Sequence, residues 1–398
     1  MRFDSRHMVI IAAITTTIGL VAACGSTSGP TAAEPAGAAA EELHHTGATA
    51  PPPQPLRAGE RFQQISMAQP YKPVPPSGGT DEYRCFLIDP HLTRKTYITG
   101  SQFLPVNGDI VHHAIMYRVQ PGDVQRAKDV DARDDGDGWT CFGGPGVGSG
   151  GQAFGSDQAW VGAWAPGGHE TLLGTDLGYA MEPGAQIVMQ IHYNLLATDG
   201  TPGPLDQSAL RLRLNDSPAI RPLRTTLLPA PIELPCAPQE SGPLCDREQA
   251  VADVAVRFGL PARVMVNGLN YTCSRNVEPK PGPTQHCDIK VRQAGVLYSV
   301  AGHMHLLGRS IKVELNPGTP KAQTLLDVPA FDFDDQSARP LAKPVTVKPG
   351  DTYRVTCTHD ATLRSQLPEL QKLKPRYVVW GDGTSDEMCL GIVVWAAP

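Results

Sequence analysis

Five histidines and one methionine are the residues of this 398-residue chain best suited to chemistry. They fall in four short islands: His112-His113, His192, His303-Met304-His305 and Met388. Each island lies in a stretch that reads as a β-strand. Imidazole nitrogen suits copper, zinc and iron, whereas the thioether of methionine is a soft donor that favours Cu(I). Zinc takes Cys, His or carboxylate donors instead. A set that mixes histidine with methionine therefore points to copper.

The strands must place these donors. Val296-Leu297-Tyr298-Ser299-Val300-Ala301 reads as a buried strand running into His303. Residues at i and i+2 share one face of a strand, so His303 and His305 can bracket one metal while Met304 turns into the core. The same spacing also arises on exposed strands that bind nothing. Met388 precedes Leu390, Ile392, Val393, Val394 and Trp395, a terminal buried strand where methionine is also ordinary core filling. Upstream, Ile187, Met189, Ile191 and Tyr193 share one face, and Gln190, His192 and Asn194 share the other, a polar face suited to a cleft. His112 and His113 are adjacent, and adjacent residues of a regular strand point to opposite faces. Both reach one metal only where the strand is bulged or ends; otherwise one ring is core and the other exposed.

Taken in order, Val111-His112-His113, Gln190-Ile191-His192-Tyr193, Gly302-His303-Met304-His305-Leu306 with Gly308, and Asp386-Glu387-Met388-Cys389 resemble the copper-ligand motifs of the ascorbate-dependent type II copper monooxygenases. That family includes peptidylglycine α-hydroxylating monooxygenase and dopamine β-monooxygenase. The resemblance runs over most of Asp81 to Trp395. It implies two coppers. His303, His305 and Met388 would hold the one that reacts with O₂, and His112, His113 and His192 the one that supplies the second electron. It also implies a disulfide between Cys357 and Cys389, and two similar sandwich domains. The chain departs from the peptide-amidating branch at Ala301, where that branch has an arginine for the substrate carboxylate. It departs again at Leu390 and Ile392, where that branch has Asn and Tyr. A C-terminal peptide carboxylate is therefore a poor candidate substrate, and Arg309 does not take over the missing role. His91, His169, His286 and His359 match no ligand position and are expected at the surface or beside the ligands.

Composition bounds the rest. Gly 40 and Pro 38 with many short alternating runs favour an all-β protein. The expected architecture is two tandem antiparallel β-sandwich, jelly-roll-like domains facing a copper cleft. Net charge of −6 gives no electrostatic reason for nucleic acid as a partner. Arg2 and Arg6 before an apolar run from Met8 to Ala23 read as a secretory signal over residues 1–23. Val21-Ala22-Ala23-Cys24 resembles a bacterial lipobox, so Cys24 is the expected lipidation site, and the protein an exported, membrane-anchored surface or periplasmic lipoprotein. Residues 24–59 are rich in Ala, Pro, Gly, Thr and Ser and read as a flexible tether. Within it, His44-His45 reads as a solvated pair, with copper capture as the alternative. Residues 60–216 and 217–398 are the expected domains, divided where Asn215-Asp216-Ser217-Pro218 breaks an alternating strand.

Besides Cys24 there are Cys85, Cys141, Cys236, Cys245, Cys273, Cys287, Cys357 and Cys389. An even number in an exported chain implies disulfides, with roughly a hundred connectivities open. Cys236 to Cys245 and Cys273 to Cys287 read as local staples, and Cys85 is assigned to Cys141. Ala250, Val254 and Phe258 at i, i+4, i+8 predict a short packing helix after the first staple.

The function expected from these readings is a copper-dependent monooxygenase that hydroxylates a C–H bond of a small organic substrate. It would use O₂, two copper ions and an electron donor, ascorbate by family habit or another reductant. The rival is a non-catalytic copper-binding surface lipoprotein for storage, delivery or redox buffering.

Overall fold

Alternating apolar and polar runs form mainly antiparallel strands, packed as an all-β sandwich structure. The computed structural model describes residues 50–398 apart from 76–79, 142–143, 148–156, 167, 196–197, 199–204, 275–277, 334 and 384. Cys24, His44 and His45 lie outside the described residues.

In the first half, a sheet of strands Trp139–Thr140, Asp81–Ile88, Gln186–Asn194, Val111–Val119 and Trp160–Trp164, in that spatial order, packs on a second sheet. That second sheet contains Glu60–Ser66, Ala209–Asn215, Thr96–Leu104 and Leu177–Met181. Phe86, Met116, Ile187, Met189 and Ile191 meet Ile98, Phe103, Leu212 and Leu214 between them. The side of the Gln186–Asn194 strand expected to be apolar does face this core. Its polar side is buried as well: His192 is 1% exposed and Gln190 2%. Gln190 donates from Nε2 to the Cys141 carbonyl at 3.3 Å, and the Pro121–Asp131 helix, which the sequence reading missed, contributes Ala127 to a small cluster with Cys85 and Cys141.

The second sheet does not stop at Asn215. Leu177–Met181 pairs in parallel with the start of Arg221–Pro229, which pairs with Leu390–Ala396, then Gly295–His303, then Arg339–Val347. A four-stranded sheet of Thr284–Lys290, Thr352–His359, Gly308–Leu315 and Gln323–Val328 packs on this extension. Leu297, Val300 and Val393 meet Ile311, Val313 and Val355 there.

The predicted helix is present as Arg247–Phe258. A second helix, Leu260–Ser274, follows it directly. Gly259 at φ 84° provides the left-handed break between them. The expected local staple Cys273–Cys287 is formed, and it ties this helix to the Thr284–Lys290 strand. All four expected disulfides are formed: Cys85–Cys141, Cys236–Cys245, Cys273–Cys287 and Cys357–Cys389. Residues 54–57, compositionally part of the tether, are held to the body. Arg213 donates to the carbonyls of Gln54 and Pro55 at 2.7 and 3.0 Å.

Candidate metal centre

The His112-His113 problem is resolved by a bulge. Along the pairing of the Gln186–Asn194 and Val111–Val119 strands, His192 opposes His113 and Tyr193 opposes Val111. His112 is the extra residue, so the alternation breaks and both imidazoles turn to one side. His112 Nδ1 lies 3.1 Å from His192 Nδ1 and 3.3 Å from His113 Nδ1, and His113 and His192 Nδ1 are 3.3 Å apart. A tetrahedral ion with about 2.0–2.1 Å bonds to nitrogen sets its ligand nitrogens about 3.3–3.4 Å apart. The triangle therefore has the size of one face of such a site, and its donors are all imidazole.

Neighbouring groups decide which nitrogen each ring offers. Asp81 Oδ1 sits 2.8 Å from His192 Nε2. A carboxylate accepts, so Nε2 carries the proton and Nδ1 is left as the donor to a metal. Tyr83 opposes His192 on the third strand and stacks on it with ring centroids 4.1 Å apart. Burial, then the neighbouring His192 and His112, hold the His113 imidazolium well below its ordinary pKa. Burial likewise lowers His192, against the pull of Asp81. Neutral imidazole is the form that ligates.

The second group is built at a strand end. The Gly295–His303 strand stops at His303, so His305 reaches the same side through the turn that follows and not through regular strand alternation. The two rings are 5.2 Å apart at their centroids, and Met304 is fully buried in the core as expected. The glycines of the motif have a packing reason: a Cβ at Gly302 would meet Ile311 Cγ2 at 2.7 Å, and one at Gly308 would meet Met304 Cβ at 2.9 Å. His305 Nδ1 lies 3.1 Å from the Asp386 carbonyl, which can only accept, so Nε2 is the free donor. Burial lowers His303 to about 3, with His305 adding to the effect.

Met388 lies two residues before the Leu390–Ala396 strand, whose Leu390 opposes His303. Its neighbour Glu387, fully buried, accepts from the backbone N–H of His305 at 2.9 Å and of Leu307 at 2.6 Å. Burial pushes the Glu387 carboxyl up, but hydrogen bonds from His359 and His305 outweigh it and hold it below its ordinary value. His359 Nε2 is 3.3 Å from Glu387 Oε2 and 3.3 Å from the Met388 carbonyl. The Cys357–Cys389 bridge anchors the same segment from the opposite sheet.

The two groups lie close to each other. The His113 and His303 rings stand 6.2 Å apart, the Phe333 ring stacks on His112 at 5.2 Å, and the Tyr83 hydroxyl donates to the Asp382 carbonyl. The two halves meet here because the large sheet continues from one to the other.

Residues 261–397 match the family described as copper type II ascorbate-dependent monooxygenase, C-terminal domain. That part of the chain is similar to this family's C-terminal domain. The match contains His303, His305 and Met388, and the likeness supports copper as the metal. Among solved structures, the chain is similar to an allantoicase at 12% identity, covering 83% of this chain and 81% of that one, with a TM-score of 0.19. A putative secreted protein from Parabacteroides distasonis is 8% identical, with 85% and 90% covered and a TM-score of 0.21. At these scores neither likeness bears on fold or function.

Several supporting residues were not legible in the sequence. Asp81, Tyr83 and Gln336 come from distant positions and carry no spacing signal, whereas Glu387 stands in the Asp386-Glu387-Met388-Cys389 motif without a role of its own. Of the two places expected for His359, at the surface or beside the ligands, the second holds: it is 2% exposed and beside Met388. Arg257 lies on the helix read as pure packing, yet it holds the Asp386 carboxylate through two bonds of 2.7 and 2.8 Å. His91, His169 and His286 are exposed, and Arg309 lies 3.6 Å from Asp360 in an ion pair.

Proposed function

We propose that the chain is a copper-dependent monooxygenase that hydroxylates a C–H bond of a small organic substrate with O₂ and an external reductant. The observation that supports it most is the convergence of two histidine groups from the two halves, with the His113 and His303 rings 6.2 Å apart. His112, His113 and His192 would hold one copper through Nδ1, and His303 and His305 would hold another through Nε2 with Met388 as the soft donor. Bound copper supplies one-electron redox chemistry and O₂ reactivity, with Cu(I) favoured by thioether. Overall, one oxygen atom enters the C–H bond and the other leaves as water, consuming two electrons and two protons from outside.

The protein's own contribution is orientation and a dry setting. Asp81 fixes His192, the Asp386 carbonyl fixes His305, and Glu387 holds the turn that presents His305. Burial keeps His113 and His303 neutral and free to ligate. Ala301, buried on the Gly295–His303 strand, provides no cation for a peptide carboxylate.

Metal analysis, EPR of the oxidised protein and substrate-dependent O₂ uptake with ascorbate or another reductant test this reading. Two coppers per chain and substrate-linked uptake are expected. Saturation at one copper, or zinc at both sites, ends the two-copper mechanism. Copper binding with no substrate-linked uptake favours storage, delivery or redox buffering instead. We also propose export and lipid anchoring at Cys24. Cys24→Ser is then expected to release the protein from membranes or block its processing, and unchanged membrane retention rules that anchor out.

A further inference from the structure

Phe333 and Gln336 lie between the Gln323–Val328 and Arg339–Val347 strands, where no sequence motif pointed. Gln336 Oε1 is 2.6 Å from His303 Nδ1. Its amide nitrogen donates to the Phe333 carbonyl at 2.8 Å, and the Phe333 ring stacks on His112. Amide orientation is ambiguous on shape alone, but here chemistry decides it. The Phe333 carbonyl can only accept, so the amide NH₂ faces it and the oxygen faces His303. An amide oxygen can only accept in turn, so His303 Nδ1 carries the proton.

We infer that Gln336 is a positioning residue that locks His303 in its Nδ1–H tautomer, presenting Nε2 to the metal, and that Phe333 links this lock to the His112 group. Asp386 does the same for His305 through a backbone carbonyl, so both rings of the second group are set to offer the same nitrogen. This rests on the reading of His303 as a copper ligand, but the tautomer itself does not.

The test uses the metal-free full chain, labelled with ¹⁵N at histidine, at neutral pH. Long-range ¹H–¹⁵N correlations report each ring's tautomer. Wild type is expected to show Nδ1–H at His303. Gln336→Leu, which keeps bulk but removes the acceptor, should shift His303 towards Nε2–H and weaken Cu(I) binding at its site by about 10-fold or more, as loss of such a partner typically does. Gln336→Glu retains an acceptor and should restore both. His192, held by Asp81, should stay Nε2–H in every variant, which shows that the fold is intact. An Nε2–H tautomer at His303 in wild type, or an unchanged tautomer in Gln336→Leu with His192 intact, overturns the inference. A tautomer shift without any copper at His303 upholds the lock and removes the copper reading.

Discussion

At the scale of single residues, Met388 separates the two roles copper could play. Met388→Ile removes the soft donor while keeping an apolar side chain of similar bulk. Cu(II) content should change little because His303 and His305 remain, whereas O₂ reactivity of the reduced protein should fall far more. Wild-type turnover in a folded Met388→Ile protein would make Met388 a core residue only. Glu387 presents a different test. Its buried carboxylate satisfies the N–H groups of His305 and Leu307 and faces His359. Glu387→Gln cannot accept at both oxygens and leaves buried groups unpaired, which costs about 1–3 kcal/mol or more. Urea unfolding measures it, and a loss below about 0.5 kcal/mol would mean the clamp is not stabilising.

At the scale of elements, a bulge and a strand end do the work. The bulge at His112 turns two adjacent rings to one side, and the stop at His303 lets His305 come round beside it. Both are departures from regular strand geometry, which is why alternation alone could not place these rings. The Leu260–Ser274 helix was missed for a related reason. Leu260 and Val264 are exposed while Ala262, Val266 and Leu269 are buried, so apolar residues surround it and blur the helical period. Its Cys273–Cys287 bridge anchors its last turn to a strand. Replacing both cysteines with serine should cost about 2–4 kcal/mol and speed amide exchange in that last turn before the rest of the helix. Uniform exchange along the helix would show that the bridge does not act locally.

At the scale of the whole molecule, a sheet that runs through both halves brings His113 against His303, and the Tyr83 hydroxyl reaches Asp382 across the same boundary. Tyr83→Phe keeps the ring that stacks on His192 and should cost about 1 kcal/mol, read by thermal unfolding. Tyr83→Ala also loses the ring and should cost about 3–5 kcal/mol. Equal losses for the two variants would show that the hydroxyl, not the ring, holds this boundary. The sequence by itself determined the all-β class and offered six candidate donors whose mix of imidazole and thioether points to copper, because donor chemistry and strand alternation are local properties. It also carried the four cysteine pairings, one of them only through family resemblance. Tertiary structure alone decided which ring nitrogen faces inward, how close the two groups come, and which distant residues support them. Those outcomes depend on partners far apart in the chain: Asp81 for His192, Asp386 for His305 and Gln336 for His303. Hydrogen bonds between such partners leave no periodicity in sequence, since each is made only after the sheets have packed.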